Sequence, residues 1–272
     1  MARLRSFTVV IALLLPLGLV FTPTAGAAGD LSRVGSTTGS TPTDSLILRA
    51  KALVGEGISG SPDALKQARS LALKATDRPA HRAWAHYWAA LASYRLEGQY
   101  EEAQRAKRRA AIEKAIKHLD KATELAPEMS DAWALLARCY GLKTAVSSPQ
   151  EASSLNRHSE DALAKAKQLA PKNPRVWIVS GAKDYHTPTR YGGSRERALK
   201  KFKKAARLAR QESGDNPLAP SWGSAEAHAW IGLAHLEAGR QKKARSSLEQ
   251  ALAIKPGYAR VKSDLLPRIG GG

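Results

Sequence analysis

The chain has 272 residues but one cysteine, two methionines and three phenylalanines. A single thiol, Cys139, excludes an internal disulfide. Set beside Leu135 and Leu136, it reads as an inert core residue. Aromatic residues make up only 6% of the chain, while Ala and Leu dominate, which suits close-packed helices. No run of alternating β-branched residues marks a strand. Acidic groups are scarce: 24 Asp and Glu stand against 43 Lys and Arg, for a net charge of +19. Catalytic signatures are missing too. None of the seven His falls in an HExxH pattern, no Cys/His cluster has zinc spacing, and Gly192-Gly193 is not followed by the Lys-Ser/Thr of a phosphate loop. These absences predict a non-enzyme with neither metal nor cofactor.

Only one long apolar run is present, Phe7 to Phe21. Pro16 and Gly18 break it, and it falls short of the roughly 20 residues a membrane span needs. With Arg3 and Arg5 before it and Ala25-Gly26-Ala27 after it, the segment reads as a secretion signal. The expected boundaries are a signal at 1–27 and a disordered Gly/Ser/Thr leader at 28–43. A helical domain then covers 44–268, and a flexible tail 269–272. An uncleaved anchor is the rival reading of the N-terminus. Cleavage removes two basic residues and would leave +17. The expected localisation is export, to the periplasm or beyond.

What the chain does contain is a repeated phrase. An Ala is followed by a large apolar residue four later, an Ala three after that and a Pro five further on. Ala115, Leu119, Ala122 and Pro127 spell it, as do Ala244, Leu248, Ala251 and Pro256. Ser159, Leu163, Ala166 and Pro171 carry one substitution, and Ala198, Phe202 and Ala205 lack the Pro. Trp133 and Trp177 each stand six residues after a phrase-ending Pro. Positions three and four apart share a helix face, so small Ala permits close approach while Leu or Phe fills the gap. Pro ends the helix.

This pattern resembles the tetratricopeptide repeat, well over 80–256 and weakly over 44–79. The resemblance implies an all-α, right-handed helical solenoid of about five helix pairs, with Tyr258 to Leu266 as a short capping helix. In the first pair Asp44 is the expected N-cap, and Ser61-Pro62 opens the second helix. A long second helix starts near Tyr100. Gly141 to Asn156, with Pro149, is expected as a connection, and another runs from Ser213 to Trp222.

The segment Tyr185 to Ser194 is longer than a helix-pair loop requires. It carries Tyr185, His186, Arg190, Tyr191 and two glycines, and it meets a helix N-terminus flanked by arginines. Two readings stand: an anion site, or a turn in which glycine supplies positive φ. The segment also resembles Gly-Gly turns of periplasmic repeat proteins associated with solute transporters. Inner helices line the concave wall of such a solenoid. The Lys/Asn/Arg clamp of the family's peptide-binding members is absent there. Arg95 and Arg138 stand as isolated cations on an apolar wall. His228 and His235 occupy packing positions of the repeat. Candidate binding residues are therefore Arg95, Arg138, Tyr185, His186, Arg190, Tyr191 and Trp222. No catalytic or metal residue is assigned.

The expected function is binding of a protein or peptide partner, in the manner of a scaffold for an envelope complex. The alternative is a transporter-associated protein that binds a small apolar or anionic ligand. An open groove favours the first, an enclosed pocket the second. The basic outer helices suit an anionic envelope polymer as a further partner, and export argues against nucleic acid.

Overall fold

Ten α-helices pair off along the chain in the computed structural model, which describes residues 42–270. The pairs are α1 (Pro42–Gly57) with α2 (Pro62–Lys74), α3 (Arg82–Glu97) with α4 (Arg105–Leu125), and α5 (Ser130–Thr144) with α6 (Pro149–Leu169). α7 (Pro174–His186) pairs with α8 (Arg195–Gln211), and α9 (Ser224–Leu236) with α10 (Gln241–Ile254). A π-helical turn, Val261–Leu265, follows. No strand occurs among the described residues. The expected signal and most of the expected leader lie outside them.

The phrase residues are the crossing points. Ala115, Leu119, Ala122, Ala166, Ala198, Phe202, Ala205, Ala244, Leu248 and Ala251 are all fully buried. Pair one carries the same spacing with a smaller filler: Ala68, Ala72 and Ala75, likewise buried. Trp133 and Trp177 act through hydrogen bonds. Each indole N–H donates to the carbonyl of the Pro six residues earlier, at 2.8 Å to Pro127 and 2.7 Å to Pro171. The Trp thus ties the end of one pair to the start of the next. Cys139 is buried, and burial pushes its thiol well above the ordinary range.

Three expectations are corrected. α1 begins at Pro42, so Asp44 sits in its first turn rather than capping it. Gly141 to Asn156 is not a connection: only four residues separate α5 from α6. Ser148 caps α6 in a reciprocal box with Glu151, and Pro149 takes the first helical position, where its missing N–H costs nothing. The extra length goes into α6, which like α4 runs 21 residues. At the tail, Ile269 packs onto the C-terminal core rather than lying free.

Two long-range features shape the interior. The connection 213–223 crosses the inner side of the helices and is fastened there. Lys51 donates to the carbonyls of Pro217 and Ala219 at 2.9 and 2.7 Å, and the Trp88 indole to that of Leu218 at 2.9 Å. Trp222 donates to the Tyr87 hydroxyl at 3.0 Å and packs against both core clusters. The ends of the helical array also meet: the Ala259 N–H donates to the Ile58 carbonyl at 3.1 Å.

Candidate functional site

Helices α3, α5, α7 and α9, the first members of their pairs, face a common interior. The connection 213–223 and the joined ends confine that interior to two adjoining lobes of about 230 Å³ each. Arg95, Trp222 and Glu226 line both lobes. Arg95 is not an isolated cation. It donates to Glu226 at 2.9 Å and to the Val54 carbonyl at 2.7 Å, with its side chain 12% exposed. The other Glu226 oxygen accepts from the Gly223 N–H at 2.9 Å, so one carboxylate both starts α9 and fixes Arg95.

The lobe beyond Arg95 is the more aromatic, with Tyr94, Trp230 and Tyr258 in its wall. Two guanidinium groups flank Trp230, Arg138 at 6.0 Å and Arg260 at 5.3 Å from the ring centroid. Phe202 stacks on the same ring at 5.1 Å, which holds the indole in place. Arg138 makes no ion pair among the described residues. A cation held over an indole and left without a counter-ion is a ready donor to an incoming oxyanion. Neither histidine nor cysteine lines either lobe.

The expected site residues divide. Arg95, Arg138 and Trp222 line the interior. Arg138 also borders a neighbouring depression of about 320 Å³, together with His186 and Tyr191. Desolvation pushes the His186 imidazole down to about 4, aided by Arg138, Arg260 and Arg195, so it is neutral at physiological pH. Tyr185 lines neither space. It is buried edge-on against Trp230 at 5.6 Å, under the Arg195 guanidinium at 4.9 Å. Its buried hydroxyl has no hydrogen-bond partner. Arg190 is exposed and stacks on Tyr191 at 4.9 Å. Trp230, Glu226, Tyr258 and Arg260 complete the site and were not expected.

The glycine segment has the geometry of a turn. Gly192 adopts φ 86° at the end of a single helical turn, Thr189–Tyr191. A Cβ on Gly193 would stand 1.7 Å from the Thr187 carbonyl oxygen. The start of α8 is capped in the ordinary way, the Ser194 hydroxyl accepting from the Arg197 N–H at 3.1 Å. Its nearby cations are engaged as well: Arg197 and Lys201 hold Asp184 at 2.9 and 2.7 Å, and Arg195 pairs with Glu237. Among the described residues no cluster of His, Cys, Asp or Glu could hold a metal ion, and no helix is long and apolar enough to cross a membrane.

No family profile and no curated protein matches the sequence. The structure is similar to HusA, a haemophore from Porphyromonas gingivalis, at 20% identity and a TM-score of 0.58, covering 72% of this chain and 94% of that one. It is also similar to TTC0263, a tetratricopeptide protein of Thermus thermophilus, at 15% identity and a TM-score of 0.59, covering 83% of this chain and 98% of that one. The fold is therefore a tetratricopeptide-like helical solenoid.

Proposed function

We propose that the chain is a non-enzymatic binding protein whose site is the interior lobe between Arg95 and Trp230. Its ligand is a compact anion with a flat apolar body. The carrying observation is the pair of guanidinium groups beside one indole in a confined lobe. A protein partner fits this site through an acidic chain end or a single side chain. The connection 213–223, fastened to Lys51 and Trp88 on the inner side, favours such a compact group over an extended peptide. HusA, similar in fold, is a haemophore, which supports small-ligand capture as a use of such an interior.

Trp88, Trp222 and Trp230 line the lobes, so tryptophan fluorescence reports binding directly. Indole-3-acetate, a compact flat carboxylate, serves as the probe. Saturable quenching is expected. Arg138→Glu and Arg260→Glu should each weaken it roughly tenfold, the worth of one charge-assisted contact. Quenching that neither variant alters would remove this site. The proposal also carries export: the protein acts in the periplasm or outside the cell. N-terminal sequencing of chain recovered from that compartment should begin near Ala28, and a start at Met1 would favour the anchor.

A further inference from the structure

A second cleft lies on the outer side of the last two pairs and shares no residue with the interior. Lys203 and Arg210 on α8 form one wall, Lys242 and Lys243 on α10 the other, and His228 and His235 on α9 the floor. Its volume is about 480 Å³, room for several oxyanion groups where a water takes roughly 30 Å³. No carboxylate lines it.

Several basic residues elsewhere on the surface find acids: Lys66 with Asp63, Lys121 with Glu124, Lys183 with Glu160, Lys200 with Glu196. None of the four cations in the cleft makes an ion pair among the described residues. The histidines on the floor add no counter-charge: burial first, then Arg210 for His228 and Arg240, Lys203 and Lys243 for His235, hold both imidazoles below their usual range. Four converging, uncompensated cations repel one another, and an anion of matching length relieves that repulsion.

We propose that this cleft binds a soluble chain of closely spaced phosphate or sulfate groups, bridged between α8 and α10. The walls belong to successive helix pairs, so such a ligand also staples them together.

Isothermal titration of the chain with sodium tripolyphosphate tests this. One saturable site is expected, weakening as salt is raised. The double variant Lys203→Glu/Lys243→Glu should lose roughly a hundredfold in affinity, about tenfold per contact. A control on α4, Lys107→Glu/Lys114→Glu, alters the net charge equally and should leave affinity within about twofold if the cleft is the site. Equal losses in the two variants would reduce the effect to net charge and overturn the proposal, as would non-saturable binding. Vesicles of phosphatidylcholine with phosphatidylglycerol form the other arm. Capture by vesicles through Lys203 and Lys243 without tripolyphosphate binding would assign the cleft to a membrane surface instead. If the reversal variant melts early, Lys203→Ala/Lys243→Ala replaces it, with the same direction expected.

Discussion

Gly232 and Gly141 both lie inside helices, yet replacing each by alanine should have opposite effects. On α5, a Cβ at Gly141 meets nothing closer than the Ser159 hydroxyl at 3.8 Å, an ordinary contact. Alanine there gains helix propensity, about 1 kcal/mol at most. On α9, a Cβ at Gly232 would stand 2.5 Å from Leu248 Cδ2 and 2.6 Å from its Cγ. Leu248 is the large residue of the repeated phrase and is fully buried, so it has no space to retreat into. Overpacking of this kind costs roughly 1–3 kcal/mol, more than the propensity gain. Gly181 stands in the same relation to Phe202, with a Cβ 2.5 Å from that ring. Thermal melts check the pair. Gly141→Ala should raise the melting temperature and Gly232→Ala lower it, at about 2–4 °C per kcal/mol for a domain of this size. A rise in both would mean that the crossing of α9 and α10 is looser than its geometry shows.

The helices were legible because their signals are local. The phrase marks four outer helices by spacing alone, and Ser61-Pro62, Asn173-Pro174 and Ser194 each sit where a helix starts. The misread connection at Gly141 to Asn156 held a local signal as well. Ser148 and Glu151 form a complete capping box with Pro149 at the first helical position, but a Pro suits a connection as well as a helix start. The connection 213–223 is different in kind. Its partners Lys51 and Trp88 lie 130 to 168 residues away, and no periodic pattern encodes such pairings. Arg175 shows the same limit. It lies at the start of α7 and reads as a surface cation, yet it is 4% exposed, bound to Asp131, Glu212 and the Trp222 carbonyl. The candidate site divides along the same line. Arg95, Arg138 and Trp222 follow from helix position and an insertion. Trp230 and Arg260 enter only because distant segments converge.

An ordinary solenoid is a stack in which each repeat touches only its neighbours, so its two ends open independently. Here the turn after α1 meets the segment after α10. The Ala259 N–H reaches the Ile58 carbonyl, and a Cβ on Gly257 would stand 2.3 Å from the Ser59 hydroxyl oxygen. The same residues close the aromatic lobe, since Gly57, Ile58, Tyr258, Ala259 and Arg260 all line it. Stability of the ends and shape of the site are therefore one property. Gly257→Val tests this: the Ser59 hydroxyl can rotate away, but the Ser59 Cβ would still lie 3.1 Å from the new Cβ, and the two further methyl groups crowd the contact between the turns. Hydrogen exchange should quicken together in α1, α2 and α10, while α5 and α6, packed on both sides, keep their protection. The interior affinity for indole-3-acetate should fall in the same variant, although no residue that touches ligand chemistry has changed. Faster exchange confined to α10 would show that the ends are adjacent without being coupled, and the site would then owe its shape to the connection 213–223 alone.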